Sequence, residues 1–140
     1  MLITDSYRQE QTNLHKTGKY GTASLQYGQV VSNLLDRLNS RSILDYGCGS
    51  MRNLLKVLAP QHAVQYQGYD PAIPEYNVKE PADLVVCIDV LEHIEPELLD
   101  NVLDDLRDLT RAWAYLTIHT GPAVKRLSDG RNAHLIQESP

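Results

Sequence analysis

The sequence holds only two cysteines, Cys48 in a glycine-rich stretch and Cys87 in an apolar run. Two cysteines without metal-type spacing exclude a disulfide scaffold and a zinc knuckle, and point to free thiols in a reducing compartment. Phenylalanine is absent and tryptophan occurs once, while there are 8 tyrosines, which serve either as stacking surfaces or as core fillers. Positive charge is short: 13 Lys and Arg against 18 Asp and Glu give a net −5, so non-specific attraction to nucleic acid is not expected. No apolar run approaches the roughly 18 residues that span a bilayer, and the opening Met1–Arg8 lacks the layout of a signal peptide. A cytoplasmic location without membrane contact is therefore expected. There is no Walker loop, no Gly-x-Ser-x-Gly elbow and no Cys-x-x-Cys pair. The 140 residues suffice for one domain with a modest core.

What is present is organised around residues 42–53, Ser-Ile-Leu-Asp-Tyr-Gly-Cys-Gly-Ser-Met-Arg-Asn. Ile43 and Leu44 read as a buried strand, Asp45 as the acid at its end, Gly47 and Gly49 as a turn, and Arg52 onward as a helix that Pro60 stops. Strand, glycine turn and helix form the first half of a βαβ unit, and the turn lies where open α/β sheets bind ligands. A dinucleotide fingerprint needs a third glycine where Arg52 stands, so it fails here.

Along the chain, residues 1–21 form a polar, partly helical arm broken by Gly18 and Gly21. Residues 23–39 predict an amphipathic helix with Tyr27, Val31, Leu34 and Leu38 on one face, Val30 and Leu35 beside them, and Thr22 as its cap. Residues 64–69 predict a second strand ending at Asp70-Pro71. Pro71, Pro74 and Pro81 exclude a full helix over 71–82 and leave a loop with a short strand near Tyr76 to Val78. Residues 83–88 are a continuous apolar run, the pattern of a parallel strand covered on both faces, and end at Asp89. A helix over 96–111 has Leu99, Val102, Leu103, Leu106 and Leu109 on its buried side. Residues 113–118 are the last strand, ending at His119. Residues 120–140 read as a loop-like tail, with room for a short helix over 123–127. The alternation predicts a single Rossmann-like, doubly wound domain: an arm (1–21), a core (22–119) and the tail (120–140). Its mostly parallel sheet has the central order 3-2-1-4-5 and helices on both faces.

Three acids then stand at strand ends along one crevice: Asp45, Asp70 and Asp89. Asp70 lies 21 residues after Gly49, near the ~20-residue spacing of a ribose-binding acid. The plainer alternative is that an Asp before Pro71 opens a turn. Cys48 is read first as a small residue filling the glycine turn rather than as a reactive thiol.

Asp45-x-Gly47-x-Gly49 resembles the first motif of class I S-adenosylmethionine-dependent methyltransferases, with Met51 where that motif carries its last glycine. Met51 either enters the helix–sheet interface or narrows the ligand site. Asp89-Val-Leu-Glu-His-Ile resembles the fourth motif of the small-molecule members, and the closing Asp-Gly-Arg-Asn-Ala-His-Leu-Ile is similar to small phage and bacterial relatives. The resemblance implies S-adenosylmethionine as cofactor. It places Gly47, Cys48 and Gly49 along the methionyl group, Asp45 near its amino group, Asp70 and Pro71 at the ribose, and Ile88 and Asp89 beside the sulfonium. Tyr20, and more loosely Tyr27, would close over it.

His93 and His119 follow the fourth and fifth strands and are the candidate bases or substrate contacts. The plainer readings are a loop cap and a backbone hydrogen bond. His134 is placed to close the same pocket. The histidines lack helical or hairpin spacing, so no metal is expected. No Asn-Pro-Pro-Tyr or Pro-Cys motif marks the fourth strand, which argues against amino methylation of bases and cytosine C5 chemistry.

The expected activity is methyl transfer to an unidentified small or medium polar acceptor. The alternative is a cofactor-binding module without transferase activity; a nicotinamide oxidoreductase is a weaker third reading. The family's C-terminal hairpin is missing, so the last strand should keep a bare edge. That edge is open to a partner, a missing segment or a second copy.

Overall fold

The computed structural model describes residues 1–17, 20, 22–58 and 63–138. The expected breaks at Gly18 and Gly21 and the stop at Pro60 lie outside them. Four parallel strands form one sheet: β1 (Ser42–Tyr46), β2 (Gln65–Tyr69), β3 (Ala82–Ile88) and β4 (Thr110–Thr117), in the order β2-β1-β3-β4. This is the expected central order without its outermost strand. At Tyr76 to Val78 the chain instead closes a 3-10 turn over Pro74–Tyr76, because Pro74 fixes a turn-like φ and supplies no ladder donor. The sheet is Rossmann-like and α/β, with helices α1 (Asp5–His15), α2 (Gly28–Arg37), α3 (Asn53–Val57) and α4 (Leu99–Leu109) around it.

Strand alternation divides the core between the two faces. On one, Leu44, Tyr46, Val85 and Cys87 pack against Val102, Leu106 and Leu109 of α4. On the other, Ile43, Leu84, Val86 and Ile88 pack against Val31 and Leu35 of α2 and Leu54 of α3. Each such aliphatic side chain contributes roughly 1.5–3 kcal/mol on burial, which is why the continuous apolar runs sit in the two central strands.

The helix expected over 23–39 divides in two. Ala23–Tyr27 is a 3-10 turn, α2 proper begins at Gly28, and Thr22 makes no side-chain cap. Gly28 lies so close to α3 that a Cβ there would stand 2.7 Å from the Val57 carbonyl oxygen. The helix expected over 96–111 opens with a 3-10 turn at Pro96–Leu98 and ends at Leu109. Thr110 then begins β4 with no intervening residue, its Oγ1 donating to the Leu106 carbonyl at 2.7 Å.

The arm and the tail meet. Thr4 caps α1 and binds Glu95 through its backbone N–H (2.9 Å) and its Oγ1 (2.6 Å). Ile3 and Tyr7 pack against Leu127 and Ala133 of the tail. The tail forms no helix over 123–127; an antiparallel bridge between Arg126 and Asn132 shapes it. No strand among the described residues covers the outer edge of β4, where Trp113 is 54% exposed and Leu116 and Ile118 are also open. No helix among the described residues is long and apolar enough to cross a membrane.

Candidate functional site

A cavity of about 370 Å³ opens at the carboxyl ends of β1, β2 and β3, roofed by α1 and the tail. It is lined by nine of the site residues singled out from sequence: Tyr20, Gly47, Asp70, Pro71, Ile88, Asp89, His93, His119 and His134. The turn after β1 makes room for it. Gly47 takes φ +83°, its N–H and that of Cys48 donate to the Tyr69 carbonyl at 2.7 and 3.0 Å, and a Cβ on Gly47 would stand 2.4 Å from Val90 Cγ2. Only glycine fits both the dihedral and the space. Asp89 also adopts a positive φ, +50°, and its carboxylate accepts from Thr117 Oγ1 at 2.7 Å, which ties the ends of β3 and β4 together.

Asp70 is buried, yet it lines the cavity. Its Oδ2 accepts from the Gly49 N–H at 3.1 Å, its Oδ1 from the Ala72 N–H at 2.9 Å, and His15 Nε2 stands 3.6 Å from Oδ2. The bond to Ala72 is the turn expected of an Asp before Pro71, so the turn reading and the cavity reading both hold. A carboxylate has about four lone-pair positions, so acceptor capacity remains beyond the two backbone bonds.

Five of the singled-out residues, Asp45, Cys48, Gly49, Tyr27 and Met51, do not line the cavity. Asp45 is turned toward β2, where Tyr66 OH donates to its Oδ2 at 2.7 Å. Cys48 is buried with its sulfur against Gly68, and Gly49 acts through its N–H on Asp70. Tyr27 packs edge-on against Tyr115, 6.4 Å between ring centres, and closes over nothing. Met51 takes neither expected place: it is half exposed and does not line the cavity. The position that a third glycine would occupy, Arg52, adopts φ +44° with its guanidinium 5.0 Å over the Tyr76 ring.

Several lining residues were not singled out. Tyr7, Gln11 and His15 face the cavity from α1, and their four-residue spacing is the signal that was available for them. Glu92 and the tail residue Ala133 complete the wall beside His134, which was expected there. Among the described residues, four buried side-chain polar atoms lack a hydrogen-bond partner, and three of them belong to Gln11, His15 and Glu92. A cavity whose lining holds unsatisfied donors and acceptors is built for a polar ligand.

A family model described as a methyltransferase domain matches residues 21–138. The chain belongs to that family. No curated protein matches it significantly.

In the methyltransferase domain, burial sets the protonation of the site. Burial pushes Asp70 up and His15 down, while their attraction for one another opposes both shifts. Burial also lowers His93 to about 4, partly offset by the Ala133 carbonyl, so this imidazole is neutral at pH 7. Its Nδ1 lies 2.7 Å from that carbonyl and 3.1 Å from Tyr20 OH. A carbonyl only accepts, so Nδ1 carries the proton and Nε2 the lone pair. His119 Nδ1 stands 3.2 Å from the Gly121 nitrogen and 3.3 Å from the Gly121 carbonyl oxygen, so the Gly121 backbone holds this edge of the ring. Burial raises Glu92, and its Oε1 accepts from the His119 N–H at 3.0 Å.

Proposed function

We propose that the chain is an S-adenosylmethionine-dependent methyltransferase that acts on a small or medium polar acceptor. The observation that carries this reading is Asp70: a buried carboxylate at the carboxyl end of β2, held by two backbone N–H groups, with acceptor capacity left toward a cavity of ligand size. When bound, the cofactor supplies a methyl group made electrophilic by its sulfonium. Asp70 would accept from the ribose hydroxyls, with His15 shifting off Oδ2 or sharing it. Gly47 lets the backbone approach the ligand closely, and Ile88 and Asp89 flank the cavity opposite. His93 Nε2 offers a lone pair, and the His119 ring a second polar edge, for orienting an acceptor at the cavity wall. The arm and tail limit water, so that an acceptor aligned there meets the methyl rather than solvent. Two buried free cysteines suit the reducing interior of a cell, where this cofactor is at hand.

Calorimetric titration with S-adenosylmethionine, S-adenosylhomocysteine and NAD tests the reading. Micromolar binding of the first two and none of the third is expected. Asp70→Asn should weaken binding roughly 10- to 100-fold through loss of charge-assisted bonds. Unchanged affinity would reduce Asp70 to a turn residue and refute the assignment. A second reading is a cofactor-binding module without transfer, completed by a partner at the outer edge of β4, which no strand among the described residues covers and where Trp113 and Leu116 stand open. Tight binding with no turnover across a panel of hydroxyl, amine and carboxylate acceptors would select it.

A further inference from the structure

Glu92 is a carboxylate at 1% exposure with one oxygen unpartnered. A buried ionisable oxygen without a partner is costly, and proteins resolve such a group by protonation, by pairing or by metal coordination. What lies next to Glu92 is informative. The ligand-type atoms of Glu92, His93 and His134 come within 4.8 Å of one another. Glu92 and His93 lie in the 3-10 turn Leu91–His93 that follows β3, and His134 comes from the tail, 41 residues further on. The two imidazole rings stand 4.7 Å apart at 80°. Donors around one first-row ion, bonded at about 2.0–2.2 Å, stand roughly 3–4.2 Å apart, so the three groups are near enough for side-chain rotation to bring them onto one ion.

Each ligand is also oriented from behind. His93 Nδ1–H donates to the Ala133 carbonyl at 2.7 Å, and His134 Nδ1–H donates to the Gly121 carbonyl at 2.7 Å. Glu92 Oε1 is fixed by the His119 N–H, which leaves Oε2 as its unpartnered oxygen. Metal-binding histidines commonly commit one ring nitrogen to a carbonyl and offer the other as a lone pair. Here two neighbouring histidines do so beside an orphaned carboxylate.

We propose that Glu92, His93 and His134 form a binding site for one divalent transition-metal ion, with remaining coordination positions toward the cavity. Two imidazoles and one carboxylate form the donor set that takes zinc, iron, cobalt or manganese in the divalent state. This departs from the expectation of no metal, because that expectation weighed the spacing of three histidines and the set needs an acid, Glu92, in place of one of them. The site stands whether or not the chain transfers methyl groups. An ion there takes up the His93 Nε2 lone pair and staples the tail to the end of β3, which fixes one wall of the cavity.

The test uses the full chain stripped with a chelator and titrated with Co²⁺ and Zn²⁺ in the absence of any other ligand. Expected are one ion per chain, a visible Co²⁺ spectrum that Zn²⁺ displaces, and slower proteolysis of the tail once the ion is bound. Glu92→Gln keeps the acceptor for the His119 N–H, and His134→Ala alters only a half-buried tail position. Each should weaken the ion by at least roughly 100-fold, beyond what loss of an outer-shell partner typically costs. Asp70→Asn should leave metal affinity unchanged, so failure of the metal site and failure of the cofactor reading remain distinguishable. No binding by the wild-type chain, or equal binding by wild type and both folded site variants, would overturn the proposal.

Discussion

Asp45→Asn should make the protein more stable at neutral pH and less stable in acid. Asp45 is buried in the middle of the sheet's carboxyl end, with Tyr66 OH as its hydrogen-bond donor. Burial is the main cause that lifts its pKa from 3.8 to about 7; the Tyr66 bond opposes the shift and the neighbouring Asp70 adds to it. The folded chain therefore holds this proton more tightly than the unfolded chain does. Stability from Asp45 is fully present below about pH 4 and is lost as pH rises through about 7. At ~1.36 kcal/mol for each pH unit between the two values, the ionised form costs roughly 4 kcal/mol. Asparagine accepts from Tyr66 and never ionises, but its amide brings N–H groups that lose about 1–3 kcal/mol if unsatisfied. The expected net gain is roughly 1–3 kcal/mol at about pH 8, and it turns into a loss of roughly 1–3 kcal/mol near pH 4, where only the amide penalty remains. Urea unfolding followed by far-ultraviolet circular dichroism across that range reads the difference directly. Asp70 and Glu92 are also raised by burial, so the wild type carries other slopes in the same window, and only the wild-type-minus-variant difference isolates Asp45. Parallel pH profiles for the two proteins, or a variant less stable at pH 8, would refute the reasoning.

Gly47→Ala should cost about 3 kcal/mol of stability, combining a positive φ with overpacking against Val90. Adding Val90→Ala should return the steric part and not the backbone part, as read by urea midpoints. Tyr7→Phe removes a donor that reaches the His93 carbonyl at 2.5 Å and should cost about 1–2 kcal/mol. Amide exchange in α1 should speed up while exchange in β3 does not; equal protection in α1 would show that the arm is held by packing alone. Cys48 and Cys87 are both buried with thiols pushed well above their ordinary range, chiefly by burial. Neither should react with an aromatic disulfide reagent within minutes in the native state, and both should react in urea. Fast reaction of one thiol in the folded protein would show that its strand end opens.

The core elements were legible because their signals are local. Ile43–Leu44 and Leu84–Ile88 are runs that only a doubly covered strand can bury, and Val102, Leu106 and Leu109 repeat at helical spacing. Asp70 and Asp89 were legible because a strand end fixes where an acid points. The roof of the cavity was not. Its contacts join residues as far apart as Thr4 and Glu95, or Tyr7 and the tail's Leu127, and no periodic pattern in a polar arm or a turn-rich tail announces which partner it will meet. Asp45 was misplaced for a related reason. Its position at the strand end was right, but the Tyr66 hydroxyl on the neighbouring strand captures its carboxylate, and that competition appears only once β1 and β2 are paired. Glu92 and His134 meet across the same kind of distance.

The passage from α4 into β4 is direct, and a register shift between the Ala82–Thr110 and Leu84–Trp113 pairs sets the frame of the rest of β4. Leu109 closes the helix against one core face and Thr110 already belongs to the sheet. A residue added or removed beyond that shift would turn every later side chain of β4 over, exchanging Tyr115 for its outward neighbours and carrying Thr117 away from Asp89. Length changes should therefore be barred here and tolerated at the exposed Ser128–Gly130 corner of the tail. Lineages of this domain would record the stretch of β4 beyond the shift as a place of constant length, whatever residues drift through it.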